Sequence, residues 1–218
     1  MRDGHGAILT DLEELLGVRA SFEELMGRAL AHTDRDHATW GKATIRLAGR
    51  CDPAVWAAAE VLRRHPDPLR RLFGAEVLRL THLFDGRDED PFAGPAVDIF
   101  TDWSAVETDL TVLIEVLVAL GEHIDPARRR PCCRTPATPP HALVRRAVAQ
   151  GLNARSSPPA FSDDARRALL RLMADPDPVV RKTACRTVAE ERDHDPVFAD
   201  ATADLGEAWR YEWRRDRR

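Results

Sequence analysis

Residues 162–192 decide the fold of this chain, and they read SDDARRALLRLMADPDPVVRKTACRTVAEER. Ser162 is a typical N-cap, and it precedes apolar residues at helical spacing, namely Ala165, Leu169, Leu172 and Met173. The Asp-Pro-Asp-Pro run at 175–178 ends this helix, because proline cannot continue a helix and restricts the residue before it. A second stripe follows at Val180, Ala184 and Val188. The stretch therefore predicts two helices joined by an Asp-Pro turn.

The second-helix pattern recurs along the chain. Each copy has its stripe at positions i, i+4 and i+8, shortly after an Asp or a His. The copies are Thr39/Ala43/Leu47 after Asp36, Leu69/Phe73/Val77 after Asp67, Val112/Val116/Leu120 after Asp109, Val144/Val148/Leu152 after His141 and Val180/Ala184/Val188 after Asp177. A hairpin of this length cannot bury its apolar face alone, so successive hairpins must stack. The expected fold class is all-α, an α-solenoid of stacked antiparallel helical hairpins.

We expect residues 1–218 to form a single repeat domain that begins with a capping helix at about 7–17. The expected hairpins cover about 21–49, 52–83, 92–122, 125–154 and 162–192, and an incomplete final repeat covers 195–218. Local start signals support these bounds. Ser21 and Glu24 form a capping box, Asp52-Pro53 opens a first helix, and Asp195-Pro196 opens a helix over 197–208.

Segment 127–140 breaks the repeat pattern. Together with Pro126 it holds five prolines, and it has no large apolar residue to bury. Two interpretations stay open: an exposed, mobile loop, or sequence altered by a local frame slip in the gene. The tail of the chain raises the same question.

The repeat can be compared with a known family. Residues 177–184, Asp-Pro-Val-Val-Arg-Lys-Thr-Ala, resemble the D-x-x-V-R-x-x-A signature of bacterial HEAT and PBS-lyase-like HEAT repeats. Residues 142–147 resemble it with His141 in place of the Asp, and Leu69-Arg70-Arg71 is a looser copy. The resemblance implies that the Asp and Arg pair between adjacent turns or repeats. It identifies a scaffold class, which carries no single function.

The net charge of −4 conceals an uneven distribution. Segment 127–140 carries +4 and segment 209–218 carries +3, so the rest of the chain carries −11. An acidic body is a poor electrostatic match for a phosphate backbone, which argues against a nucleic-acid partner. The longest apolar stretch, 112–120, contains Glu115 and is far shorter than the roughly 20 residues of a membrane span. We therefore expect a cytoplasmic protein with no membrane partner.

Cysteines and acidic clusters do not predict a metal or cofactor site. The cysteines, Cys51, Cys132, Cys133 and Cys185, lack zinc spacing and are expected to be free thiols. The acidic segment 85–90 lacks the order of a calcium loop and is expected to be a solvated insertion. Residues 193–195, Asp-His-Asp, are expected to form a turn and a helix cap.

Two alternatives are weighed against a protein-binding function: a HEAT-like DNA-binding protein or alkylpurine DNA glycosylase-like enzyme, and a chromophore-handling HEAT protein. Trp56 with Glu60, and Trp103 with Glu107, stand at i, i+4. HEAT-like alkylpurine DNA glycosylases use aromatic and acidic groups, since an aromatic face stabilises a cationic base and a carboxylate stabilises the sugar cation. We interpret both tryptophans as core filler instead. A chromophore-handling HEAT protein would depend on Cys51 or Cys185.

Basic residues recur at the starts of three predicted second helices. They are Arg70, Arg71, Arg145, Arg146, Arg181 and Lys182. One interpretation is structural, with salt bridges to Asp67, Asp175 and Asp177. The other is a groove for an anionic partner such as an acidic protein segment. The sequence holds no catalytic motif, so we expect a non-enzymatic binding or scaffold protein that presents its inner helical face to a protein partner, with these six residues as candidate contacts.

Overall fold

The computed structural model describes residues 4–32, 34–86, 91–122, 141–152 and 161–205. Within these ranges the chain forms eleven α-helices and one short 3-10 helix, and no β-strand. The all-α fold class is therefore confirmed, in line with the helical period of every periodic segment.

The chain divides into two compact units, Met1–Ile99 and Phe100–Arg218. The first unit contains α1 (His5–Leu15), α2 (Phe22–Leu30), α3 (Ala38–Ala48), α4 (Pro53–Val61), a 3-10 helix (Leu62–Arg64) and α5 (Pro68–Phe84). Helix α6 (Ala93–Ser104) runs across the boundary between the units. The second unit contains α7 (Leu110–Glu122), α8 (Ala142–Gly151), α9 (Asp163–Leu172), α10 (Pro178–Glu191) and α11 (Pro196–Ala201). The single repeat domain over 1–218 stays a prediction.

The bounds of the described helices differ from the predicted ones at the two ends of the chain. The capping helix starts at His5, two residues before the predicted position. The last helix was expected over 197–208 but ends at Ala201, where the next residue, Thr202, leaves helical geometry. Segments 127–140 and 209–218, and the first helix expected in hairpin 125–154, lie outside the described residues.

Side-chain caps start the helices where the sequence predicts them. The Ser21 hydroxyl accepts from the Glu24 amide at 3.2 Å, while the Glu24 carboxylate accepts from the Ser21 amide at 2.7 Å. Asp52 accepts from the Ala54 amide at 2.8 Å, and Ser162 accepts from the Ala165 amide at 3.3 Å. These bonds satisfy amides that a helix start otherwise leaves without partners.

Four of the five predicted stripes are buried at every position. The exception is Leu69/Phe73/Val77, in which Phe73 and Val77 are buried but Leu69 is half-buried. The Asp67 carboxylate accepts from the Leu69 amide as Asp177 accepts from the Val179 amide, so the third residue after the cap is Arg70 in α5 and Val180 in α10. Counted from the cap, the predicted stripe of α5 therefore begins one residue earlier than that of α10, and so does the stripe of α3, whose cap is His37.

In the first unit, α3 packs against α1, α2 and α5, and α5 packs against α4. A buried carboxylate joins α3 to α5: Glu76 accepts from Trp40 Nε1 at 2.8 Å and from the Thr44 hydroxyl at 3.1 Å. The Phe73 ring meets Trp40 edge-on, with centroids 5.5 Å apart. Because a buried polar group costs free energy unless it is hydrogen-bonded, this pairing ties the two helices together.

In the second unit, α7 packs against α8, α8 and α9 pack against α10, and α9 packs against α11. Helices α7 and α8 approach most closely at two glycines, where a Cβ built on Gly121 would lie 2.4 Å from the Gly151 Cα. This approach requires that no side chain stand at Gly121. Among the described residues, no helix is both long and apolar enough to cross a membrane.

Candidate functional site

The turn before a second helix has the same geometry in α5 and α10. Arg181 Nη1 donates to the carbonyls of Asp175 and Pro176 at 2.7 and 2.9 Å. Arg71 Nη1 donates to the carbonyls of His65 and Pro66 at 2.8 and 3.0 Å. Each arginine lies four residues after the N-cap of its helix. Its guanidinium group binds the carbonyls of the preceding turn and so holds that turn against the helix. The same pair of hydrogen bonds thus closes a turn in each of the two compact units.

Arg145 occupies the equivalent place in α8, four residues after the His141 cap. Unlike Arg71 and Arg181, it reaches the turn before a different helix, α10. Its Nε and Nη2 donate to the two carboxylate oxygens of Asp175 at 2.7 and 3.1 Å, and Arg145 is only 9% exposed. The hydrogen bond to Asp175 raises the pKa of Arg145. Burial alone would raise the pKa of Asp175, but hydrogen bonds from Arg145 and from the Asp177 amide lower it.

Arg146 makes a second link between α8 and the same turn. Its Nε and Nη2 donate to Asp177 at 3.1 and 2.6 Å. The hydrogen bond from Arg146, together with those from the Val180 and Val179 amides, lowers the pKa of Asp177 to about 2. The carboxylate therefore caps α10 and binds α8 at once. Bidentate pairs of this kind fix geometry as well as charge.

The six predicted basic residues thus have different surroundings. Arg71 and Arg181 donate to backbone carbonyls of the turns before their helices, which is a different contact from the expected salt bridges. The expected salt bridges to Asp175 and Asp177 are confirmed for Arg145 and Arg146. Arg70 and Lys182 are half-buried on α5 and α10. Partner binding by the six stays a prediction, and Arg145 in particular offers little surface to a partner.

Comparison with known proteins adds nothing at this point. No model of a known family, no curated protein and no solved structure matches the chain.

Helices α8 and α10 carry the same surface stripe, which we call the α8–α10 stripe. It consists of Leu143, Arg146 and Gln150 on α8, and of Val179, Lys182 and Arg186 on α10. Leu143 and Val179 are 43% and 42% exposed. Within the described part of the chain, the Nε atom of Arg186 is buried and has no hydrogen-bond partner. Each helix therefore presents an apolar residue, a cation and a further hydrogen-bonding side chain in the same order.

A second surface lies in the first unit and was missed at the sequence level. A cleft of about 480 Å³ lies beside the contact between α1 and α3, and its apolar lining is Val18, Ile45 and Phe84. Its charged lining is four cations and two acids, namely Arg19, Lys42, Arg46, Arg50, Asp11 and Glu14. Lys42, Arg46 and Arg50 recur at intervals of four, which could have been seen in the sequence. We refer to this site as the α1–α3 cleft.

The tryptophans considered as base-stacking groups are buried, which confirms their interpretation as core filler. Trp103 is 2% exposed, and its Nε1 donates to Glu107 at 2.9 Å. Trp56 is 7% exposed and stacks on Phe92 with centroids 4.8 Å apart. Neither ring has an open face of the kind that stacking on a nucleobase requires.

The remaining candidates from the sequence are Asp195, the cysteines and the acidic segment 85–90. Asp195 caps α11 through the Val197 amide at 3.0 Å and pairs with Arg166 Nε at 2.7 Å, which confirms the expected cap. Cys51 is half-buried and Cys185 is buried. Cys132 and Cys133 lie outside the described residues, as does most of the acidic segment 85–90. The described ranges contain no group of three His, Cys, Asp or Glu placed to hold a metal ion.

Proposed function

We propose that this chain is a cytoplasmic, non-enzymatic protein built from HEAT-like helical hairpins, which binds a protein partner on the layer of second helices. The observation that carries the proposal is the α8–α10 stripe. Two helices that pack side by side carry exposed aliphatic residues at Leu143 and Val179, each followed by a cation, Arg146 or Lys182. A repeated order of apolar and basic side chains suits an extended or helical segment with apolar and acidic residues.

The contacts of the turns support the repeat part of the proposal. Arg71 and Arg181 close equivalent turns, and Arg145 and Arg146 link α8 to the turn that starts α10. Links between successive second helices are what the HEAT resemblance implies. Among the basic residues, Arg145 links α8 to the next turn, and we propose that Lys182 and Arg186 contact the partner.

Affinity capture from the native host, followed by mass spectrometry, tests the proposal. The wild-type chain should retain a specific protein, and the double variant Lys182→Glu/Arg186→Glu should lose it. A matched control is Arg167→Glu/Arg171→Glu, which reverses two charges at the same i, i+4 spacing on the exposed side of α9. Circular dichroism melting should show that both variants fold. Equal capture by both double variants contradicts the proposal, and so does release of alkylated bases from DNA by the purified protein.

A further inference from the structure

The α1–α3 cleft combines apolar walls with an excess of positive charge. Val18 and Ile45 are each 51% exposed and Phe84 is 45% exposed, so three large apolar groups meet solvent around one cavity. Apolar groups clustered in a concave site are typical of binding surfaces, because a ligand that covers them removes apolar area from water.

Acidic neighbours already pair with some of the cations around the cleft. Lys42 Nζ lies 2.9 Å from Asp11, Arg46 pairs with Glu14, and Arg19 lies 2.7 Å from Asp52. These pairs are largely exposed to solvent, so each contributes little and exchanges readily for another anion.

Arg50 is the exception among these cations. It is half-buried, and its Nη2 donates to the Ala20 carbonyl, a neutral acceptor, at 2.7 Å. Burial, and then repulsion from Arg19 and Arg46, lower the pKa of Arg50. A negative charge brought to this end of the cleft would relieve that repulsion.

The spacing of the cations indicates the form of the ligand. Lys42 and Arg46 stand one turn apart on α3, about 6 Å along the helix axis, and Arg50 follows just beyond the end of the helix. Alternate side chains of an extended peptide are separated by nearly the same distance, about 7 Å. Carboxylates at every second position of such a peptide therefore match successive cations, and the side chains between them face the other way.

We propose that the α1–α3 cleft binds an extended peptide segment of a protein partner that carries carboxylates beside a large apolar side chain. The carboxylates pair with Lys42, Arg46 and Arg50, and the apolar side chain enters between Val18, Ile45 and Phe84. Asp11 and Glu14 within the lining disfavour a uniformly anionic chain such as a nucleic acid. The site lies in the first unit and shares no residue with the α8–α10 stripe, so it goes beyond the function proposed above.

The test uses a library of random peptides displayed on phage and selected on the full chain. Enriched peptides should share acidic residues next to an apolar one. Lys42→Gln/Arg46→Gln should weaken their binding about tenfold, because two partly exposed charge contacts are lost. The matched control Arg63→Gln/Arg64→Gln alters adjacent arginines on the 3-10 helix and should leave binding unchanged. The Lys182→Glu/Arg186→Glu variant should also retain it, which separates this site from the α8–α10 stripe.

A second pair of variants leaves every ion pair of the cleft in place. Val18 is exposed, and both Val18→Glu and Val18→Lys remove its apolar side chain, so Val18→Glu, which adds a carboxylate to the cleft, should weaken the selected peptides more than Val18→Lys, which adds a cation. The proposal is overturned if no peptide is enriched, if the enriched peptides lack acids, or if they bind the Lys42/Arg46 variant as tightly as wild type. Displacement by inorganic polyphosphate at lower concentration than by free peptide would assign the cleft to an oligophosphate and would also overturn it.

Discussion

At the scale of single residues, Arg145 links two secondary-structure elements that are distant in the chain. Its side chain extends from α8 and donates to the buried carboxylate of Asp175 in the turn before α10. A carboxylate that has lost its contact with water needs a cation or several donors to remain charged. Arg146 makes the same kind of pair with Asp177 but is more exposed, so the two neighbours differ in burial rather than in chemistry.

This difference predicts unequal effects of matched substitutions. Arg145→Met should lower the melting temperature by several degrees, because Asp175 would stay buried without its cation. Arg146→Met should lower it less, since Asp177 can recover solvent and still accepts from the amides of α10. Thermal melts of the two variants make the comparison. Equal losses would mean that the burial of Asp175 does not matter.

Asp177 predicts a pH dependence of stability. Its pKa in the folded chain is lowered from 3.8 to about 2, so its contribution is present above pH 3.8 and is lost as the pH falls through about 2. Asp177→Asn keeps a good N-cap but does not titrate and cannot form the ion pair. Urea midpoints measured over this range should fall more steeply for wild type than for the variant. Parallel curves would contradict the assignment.

The burial of Arg145 could not be predicted from sequence. The stretch around it predicts the helix and its cap locally, but Asp175 lies 30 residues away and meets Arg145 only because α8 and α10 pack together. The resemblance to HEAT repeats implied pairing between repeats. It did not imply which of two adjacent arginines would be buried.

At the scale of secondary-structure elements, the sequence predicted the helices and their caps, but it did not predict which residues of α5 form the apolar stripe. In α5 the third residue after the cap is Arg70, whereas apolar residues stand at that place in α7, α8 and α10. The next stripe position is Gly74, where a Cβ would lie 2.7 Å from the Ala59 carbonyl oxygen. A search for apolar residues at helical spacing rejects Arg70 and Gly74 and therefore selects Leu69 and Phe73. The true phase depends on the close packing of α4 against α5.

The crossing of α7 and α8 predicts a strong effect of one methyl group. Gly121→Ala should destabilise by about 1–3 kcal/mol, because its Cβ would lie 2.4 Å from the Gly151 Cα. Gly27→Ala in α2 is the control: nothing lies within 4 Å, so the better helix propensity of Ala should stabilise by up to about 1 kcal/mol. Denaturant unfolding of both variants should give opposite signs. Stabilisation by Gly121→Ala would contradict the crossing.

The stripe of α10 predicts a contrast between neighbours. Val180 is fully buried and Val179 is 42% exposed. Val180→Asp should cost several kcal/mol, because it places an unpaired charge between packed helices. Val179→Asp should change the free energy of unfolding by much less. A similar melting temperature for Val180→Asp and wild type would show that the register of α10 is misassigned.

At the scale of the whole molecule, surfaces depend on parts that are distant in sequence. The α1–α3 cleft draws on the end of α1, one side of α3 and Phe84 at the end of α5. Each part reads as an ordinary helix or turn, so no local motif marks the cleft. The candidate basic residues were found from sequence because they recur with the repeat. The pairing of Arg145 and Arg146 with the turn before α10 depends on the packing of α8 on α10.

The central claim is that a protein partner lies on the second helices. The most direct measurement is hydrogen–deuterium exchange of the full chain, alone and with the partner retained in affinity capture. The account predicts slower exchange in the partner-bound chain along 143–150 and 179–186, with little change along α9. Protection confined to α9, with exchange in α8 and α10 unaltered, would contradict it.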